Sequence, residues 1–142
     1  MKDIIISTIT FIALIFSSCE QIGESRIFDI PPGSYAYFGY DTTSTLITKG
    51  WFKIENIDSN EITGIWHFEQ IGNSGNFGPQ DGEGDLIGTL TDTSIYINLQ
   101  PNFADNNILL LGKVDKKYIY GEWQWATFAG VSNRGNFNAK KN

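Results

Sequence analysis

The chain has 142 residues and a formal net charge of −6, with 18% charged and 14% aromatic residues. This length is enough for one hydrophobic core and too small for two. The acidic balance argues against nucleic acid as a partner and disfavours electrostatic docking to an anionic membrane. The apolar content argues against disorder over most of the chain, and the many Thr, Ile and aromatic residues favour strands.

The beginning of the chain has the pattern of an export signal. Lys2 is followed by an apolar run from Ile4 to Phe16, which has the length of a signal h-region and is short for a membrane span. Two serines then precede Cys19, the only cysteine, so no intrachain disulfide can form. Small residues before a cysteine, directly after an apolar run, resemble the lipobox of bacterial lipoproteins.

This resemblance implies a covalent lipid anchor. Phe16 stands where the commonest lipobox has Leu, a relaxed form that is usual in Bacteroidota-type lipoproteins. The resemblance implies that Cys19 is acylated, for example with palmitate, and several acyl chains anchor a protein stably in a membrane. Glu20 is not the Asp that marks inner-membrane retention in enteric bacteria, so the outer membrane of the cell envelope is the expected location.

Three segments follow from these patterns. Residues 1–18 are predicted to be a signal peptide, residues 19–33 a lipidated tether that ends at Pro31-Pro32-Gly33, and residues 34–142 a folded domain. Two alternatives stay open: an ordinary secreted protein in which Cys19 is incidental, and a cytoplasmic protein with a buried N-terminal strand.

The folded domain is predicted to be all-β. Apolar and polar residues alternate in short segments separated by polar turns, and short connections make neighbouring strands antiparallel. An eight-stranded antiparallel up-and-down β-barrel is favoured over a two-sheet β-sandwich, because closure removes exposed strand edges. The segments are 34–41, 46–57, 61–70, 84–91, 94–100, 106–114, 118–128 and 133–140.

Two of these segments repeat one pattern. Residues 62–68 and 119–125 both place an apolar residue, Gly, Trp and a further aromatic residue at alternate positions, which predicts a shared inner face. Each copy is followed by Gly-Asn-Phe, at 75–77 and 135–137. Gly-x-Trp in a meander resembles the calycin group of lipocalins, fatty-acid-binding proteins and avidins, although those families carry it near the first strand. The ending of the chain resembles small bacterial lipoproteins, and no functional residue is carried over from either resemblance.

The inner aromatic residues suggest a ligand site. Trp66, Phe68, Trp123 and Trp125 are candidate contacts for a small apolar or aromatic ligand, because an eight-stranded barrel is just wide enough to hold one. Alternatively they fill the core of a non-catalytic structural or protein-interaction lipoprotein, whose outer tyrosines contact an envelope protein. The candidate tyrosines are Tyr35, Tyr37, Tyr40, Tyr96, Tyr118 and Tyr120.

The chain is not expected to be an enzyme. Its single histidine, His67, is predicted to face outward, and it has no Gly-x-Ser-x-Gly elbow. An acidic loop places Asp81, Glu83 and Asp85 among glycines, and closely spaced oxygen ligands on a flexible backbone are what Ca²⁺ requires. The loop is interpreted either as a calcium site or as an ordinary solvated acidic loop. No other cofactor is expected.

Overall fold

The computed structural model describes residues 32–73 and 75–142, which form a closed barrel of eight antiparallel strands in chain order. The strands are β1 (Gly33–Tyr40), β2 (Leu46–Asp58), β3 (Glu61–Gln70), β4 (Gly82–Thr91), β5 (Ser94–Asn98), β6 (Asn107–Asp115), β7 (Tyr118–Thr127) and β8 (Gly130–Lys141). Because β1 pairs with both β2 and β8, the predicted up-and-down barrel is confirmed and the two-sheet sandwich is wrong. The predicted signal peptide and Cys19 lie outside the described residues.

The strand boundaries differ from the predicted segments by two or more residues at three points and by one residue at most of the others. β4 begins at Gly82, two residues early, because Gly82 and Glu83 continue the ladder to Phe68 and His67 of β3. β5 ends at Asn98, where the side-chain Oδ1 accepts a hydrogen bond from the Gln100 backbone N–H at 2.9 Å and turns the chain. β8 begins at Gly130 rather than residue 133, since it pairs with the end of β7.

The predicted inner face of the repeat is confirmed. In β3, Ile62, Gly64, Trp66 and Phe68 are all buried, while Glu61, Thr63 and Glu69 are exposed. A Cβ atom added at Gly64 would collide with the backbone oxygen of Lys53, so glycine lets β2 approach β3 closely at this point. Ile119 and Trp123 occupy the matching inner positions of β7.

Stacked aromatic rings fill much of the barrel interior. The ring of Tyr37 stacks on Phe68 with centroids 4.1 Å apart, and on Phe137 at 5.7 Å. Tyr35 stacks on Phe52 at 5.3 Å. Tyr35 and Tyr37 are 1% and 0% exposed, so the suggestion that they belong to an outer recognition surface is wrong. Both side chains lie on the inner face of β1, two residues apart.

The two ends of the barrel are built differently. At one end, here called the hairpin end, two-residue turns at 59–60, 92–93 and 116–117 connect the strands, and β1 begins. The other, long-loop end carries connections that include 41–45, 71–81 and 99–106. Within the described ranges, no helix is long and apolar enough to cross a membrane.

Candidate functional site

The connection between β3 and β4 folds over the long-loop end of the barrel. We call residues 71–81 the mouth loop; Ser74 within it is not described. Gly78 has a φ of 66°, and a Cβ atom there would lie 2.6 Å from Cγ of Trp125, so the indole packs directly on glycine backbone. Asn133 of β8 donates a side-chain hydrogen bond to the Asn76 backbone oxygen. The mouth loop is thus attached to β7 and β8, opposite the strands that it connects.

The mouth loop places a polar side chain inside the barrel. Gln80 is 0% exposed, and its Oε1 accepts a hydrogen bond from the Tyr37 hydroxyl at 3.1 Å. Its Nε2 donates to the Phe77 backbone oxygen at 2.7 Å. The hydroxyl of buried Thr48 donates to the Gln80 backbone oxygen at 3.1 Å. A buried amide needs such partners, and here the barrel wall supplies one to the Gln80 side chain and one to its backbone oxygen.

The hydroxyl that holds Gln80 is a neutral donor. Full burial raises the pKa of Tyr37 far above its ordinary value of 10, because the phenolate would lose its hydration. The phenol therefore keeps its proton across the physiological range and can donate to an amide or carbonyl oxygen. In the structure that acceptor is Gln80 Oε1.

A second buried glutamine links two of the long loops. Gln100 Nε2 donates to the Pro79 backbone oxygen at 2.9 Å, and its Oε1 accepts from the Ile108 backbone N–H at 2.7 Å. The mouth loop is therefore held by side chains from β1, β2 and the β5–β6 connection together.

A cavity of about 360 Å³ opens between the mouth loop and the β1–β2 turn. This volume lies within the range of small-molecule sites, roughly 300–1,000 Å³. The side chain of Asp41 orders the turn by accepting hydrogen bonds from the Thr43 hydroxyl and from the backbone N–H groups of Thr43 and Thr45, which lower its pKa. The cavity is lined by Asp41, Thr42, Ile47, Gly75, Asn76, Phe77 and Asn133.

The four predicted ligand contacts lie on inner strand positions, in two separate pairs. Trp66 and Phe68 contact each other on β3, with ring centroids 5.1 Å apart. Trp123 and Trp125 lie on β7, four strands further round the barrel. The three indoles donate to Leu99 O at 2.6 Å, Tyr40 O at 2.8 Å and Asn106 Oδ1 at 2.6 Å, respectively. The indoles of Trp66 and Trp125 thus bind the β5–β6 connection, and that of Trp123 binds the end of β1.

Sequence reasoning missed the polar residues of this site. Thr48 and Gln100 are polar at buried positions, and Gln80 lies in a loop that was interpreted only by its carboxylates. The one available signal was the placement of Thr48 at an inward position of β2, next to buried Ile47. Nothing in the sequence pattern links Gln80 to Tyr37, which are 43 residues apart.

The acidic loop is arranged differently from a cation cage. Asp81 Oδ1 accepts from the Gln70 backbone N–H at 2.9 Å, Glu83 Oε2 lies 3.4 Å from His67 Nδ1, and Asp85 is an exposed residue of β4. Across residues 32–73 and 75–142, no group of three or more His, Cys, Asp or Glu residues is placed to hold a metal ion. Calcium binding stays a prediction without support from this geometry.

His67 faces the outer side of the barrel, as expected. It stacks on Trp51 with ring centroids 6.0 Å apart and lies between the carboxylates of Glu69 and Glu83. Its side chain is 39% exposed. The arrangement is a surface cluster on β2, β3 and β4, separated from the mouth loop by the barrel wall.

Comparison with solved structures identifies the type of barrel. The chain is similar to bradavidin2, solved as a biotin complex, with a TM-score of 0.53 and 15% sequence identity over 80% of this chain and 99% of that one. The fold is avidin-like. No protein-family model and no curated protein matches the sequence. The calycin resemblance implied a β-barrel fold. That fold is confirmed, and among the calycin types it is similar to the avidin type.

Proposed function

We propose that this protein is a lipid-anchored binding protein of the cell envelope, which takes up a small apolar or aromatic ligand at the long-loop end of its barrel. The observation that carries the proposal is the buried side chain of Gln80, which belongs to a loop and not to a strand. The mouth loop inserts Gln80 into the barrel but belongs to no strand, so it can move away from the barrel without breaking any strand pairing. Its departure would uncover the Tyr37 hydroxyl and the aromatic rings beneath it.

The chemistry of the mouth fits a ligand with an apolar body and a polar group. Tyr37 supplies a hydroxyl donor. Thr48 adds a second hydroxyl, which lies 3.1 Å from both the Glu69 and Gln80 backbone oxygens. Phe68, Phe77 and Trp125 supply apolar surface. Sites of this kind combine mostly apolar walls with a few polar groups that fix orientation. Bradavidin2 binds biotin in its solved complex, which supports small-ligand binding as a use of this fold and makes biotin the first named compound to test.

The anchoring part of the proposal rests on the sequence alone. Acylation of Cys19 would attach the chain to the outer membrane, and β1 begins at the hairpin end of the barrel. The tether would therefore arrive opposite the long-loop end, which leaves the mouth open to ligand. Mass spectrometry of the membrane-extracted protein would show the acyl mass on Cys19, and an unmodified Cys19 would remove this part of the proposal only.

The binding part is tested on the chain from Gln21 onward, since every strand pair and the core lie within residues 33–141. The chain is titrated with N-phenyl-1-naphthylamine, and energy transfer from its tryptophans is followed. We expect saturable one-to-one binding at micromolar concentration or tighter.

Gln80→Ala should bind the probe several-fold more tightly, because loss of the Gln80 hydrogen bonds weakens the closed position of the mouth loop and raises the population of molecules in which the loop is open. Biotin is titrated separately by thermal shift.

The control is a variant that destabilises the core far from the mouth loop. Ile119 is fully buried near the hairpin end, and Ile119→Ala should cost about 2–5 kcal/mol without touching the mouth. If Ile119→Ala raises probe affinity as much as Gln80→Ala, the probe reports general loosening and the proposal fails. Absence of saturable binding in both the parent chain and Gln80→Ala would equally sink it.

A second function is favoured by the density of the core. Stacking of Tyr37 on Phe68 and of Tyr35 on Phe52 leaves these rings well packed inside the barrel, while Tyr96, Tyr118 and Tyr120 are 39–48% exposed on its outer side. A protein-interaction lipoprotein would use that outer face. Photo-cross-linking at Tyr96 in cells should capture one specific envelope protein, and capture of none would remove this candidate.

A further inference from the structure

Five lysines gather at one side of the hairpin end, although the chain as a whole is acidic. We call them the lysine surface. They come from the end of β6, the β6–β7 turn and the end of β8. β6 and β8 both pair with β7, one on each side, so their ends lie two strand spacings of about 4.8 Å apart. The Lys141 backbone N–H donates to the Lys117 oxygen at 2.8 Å, which joins the turn to β8. The five are Lys113, Lys116, Lys117, Lys140 and Lys141.

Exposed tyrosines lie between these lysines. Tyr118 pairs with Lys140 across β7 and β8, and the Lys140 ammonium lies 5.9 Å from the centroid of the Tyr118 ring. Tyr120 pairs with Lys113 across β6 and β7. The two rings are 48% and 46% exposed. Tyrosine beside lysine is the composition of protein surfaces at a membrane–water interface, where the ring enters the headgroup layer.

The surface continues into a shallow apolar groove. A depression of about 640 Å³ runs over the outer side of β5 and β6, and its lining includes Lys113, Tyr120, Tyr96 and Leu111. Tyr96 and Leu111 are 39% and 40% exposed. Lys113 therefore joins the lysine surface to an exposed apolar area on one side of the barrel.

Asp115 is the carboxylate within the lysine surface, where it pairs with Tyr118. The other acidic residues of the hairpin end lie on turns beside the lysine surface: Asp58 and Glu61 flank the β2–β3 turn, and Asp92 lies in the β4–β5 turn. Asp41, Asp81 and Asp105 belong to the long-loop end, and Glu69, Glu83 and Asp85 to the outer side of β3 and β4. The net charge of −6 disfavours membrane docking for the chain as a whole and does not describe this surface.

The lysine surface also marks the place where the chain enters the barrel. The Lys141 ammonium donates to the Pro32 backbone oxygen at 3.2 Å, directly before β1. The stretch from Cys19 to Pro32 spans at most about 45 Å when fully extended. A barrel tethered at Cys19 would therefore stay close to the membrane, with its hairpin end within reach of the headgroups.

We infer that the lysine surface binds the headgroups of anionic lipids and holds the barrel upright on the membrane that carries its anchor. This inference rests on the proposed anchoring for its biological setting, while the binding itself needs no acyl chain. A basic surface is a second attachment signal beside a lipid anchor. It would point the hairpin end at the bilayer and the mouth loop away from it.

The test uses the unlipidated chain from Gln21 onward, so that anchoring cannot contribute. Cosedimentation is measured with phosphatidylcholine vesicles and with vesicles in which a third of the lipid is phosphatidylglycerol. We expect binding to the anionic vesicles only, lost at high salt. Each lysine near an anionic surface is worth roughly a fivefold change in partitioning, so Lys113→Gln with Lys117→Gln should weaken binding by about 25-fold.

Two controls decide between outcomes. Lys49→Gln with Arg134→Gln removes the same charge from strand positions outside the lysine surface, and it should leave partitioning unchanged. Equal losses in both double variants would mean a general charge effect and overturn the inference, as would binding to pure phosphatidylcholine. If inorganic phosphate displaces the chain from the anionic vesicles at a concentration similar to that of their anionic lipid, the surface binds free anions and not a lipid layer, and the inference fails. Failure here leaves probe binding at the mouth untouched, so the two proposals are separable.

Discussion

Tyr35 shows how one buried phenol links the core to pH. It is 1% exposed on the inner side of β1, and burial raises its pKa from 10 to about 12. Below pH 10 the phenol is neutral in the folded and unfolded chain alike, and the folded state keeps its full stability. Between pH 10 and 12 the unfolded chain releases this proton while the folded chain retains it, so the free energy of unfolding falls as pH rises.

Tyr35→Phe should reduce this alkaline loss of stability. Phenylalanine keeps the stacking on Phe52 and has no proton to release, so the variant should lose less free energy of unfolding than the parent between pH 9 and 11.5. Urea denaturation at a series of pH values measures the loss. Tyr120→Phe, at an exposed outer position, is the control. Equal slopes for Tyr35→Phe and the parent chain would contradict the assignment.

At the scale of elements, the mouth loop differs from the two-residue turns of the hairpin end. Each of those turns connects two paired strands and accepts one backbone hydrogen bond from a neighbouring strand, whereas the mouth loop packs on Trp125 and inserts Gln80 into the barrel. Such a loop is held by a few side-chain contacts rather than by a strand ladder. Elements of this kind open at lower free energy than the strands around them, which is the property that a binding site at the mouth requires.

Gly78→Ala should detach the mouth loop. Alanine there is disfavoured by the φ of 66° and collides with the indole of Trp125, so we expect a loss of about 2–4 kcal/mol and a red shift of tryptophan emission. Gly72→Ala is a matched control, because Gly72 has a φ of 71° with no atom within 4 Å of an added Cβ. That variant should lose only about 1 kcal/mol and keep its emission maximum. Similar emission shifts in both variants would show that the Trp125 contact is unimportant.

At the scale of the whole molecule, the barrel depends on the pairing of its first and last strands. Ala139 of β8 pairs with Tyr37 of β1 and with Ile119 of β7, and it is 0% exposed. Ala139 and Tyr37 are both fully buried where β8 meets β1. Opening the β1–β8 seam would expose two strand edges and the aromatic core together.

Ala139→Arg should therefore prevent folding. A guanidinium without a partner in the core costs more than about 4 kcal/mol, a large part of the stability of a small domain. Asn138→Arg places the same side chain one residue earlier, on the outer face, and should change stability by less than about 0.5 kcal/mol. Circular dichroism and urea denaturation compare the two. A folded Ala139→Arg variant with near-parental stability would mean that the seam tolerates opening.

The sequence by itself determined the class of fold and the inner face of β3 and β7. Alternation with a period of two is a local property, so it correctly assigned Ile62, Trp66, Phe68, Ile119 and Trp123 to the interior. The polar turns and their short lengths determined the antiparallel order. The same local reasoning placed His67 on the outer side.

Only the tertiary structure decided which distant groups meet. Three examples join residues from different strands or loops. Gln80 bonds to Tyr37, and Gly78 packs on Trp125. Lys113 and Lys140 lie on strands on either side of β7. Composition gave a net charge but not its distribution, and alternation could not tell that Tyr35 and Tyr37 face inward. Such contacts depend on barrel closure and register, which bring together residues that no local pattern connects.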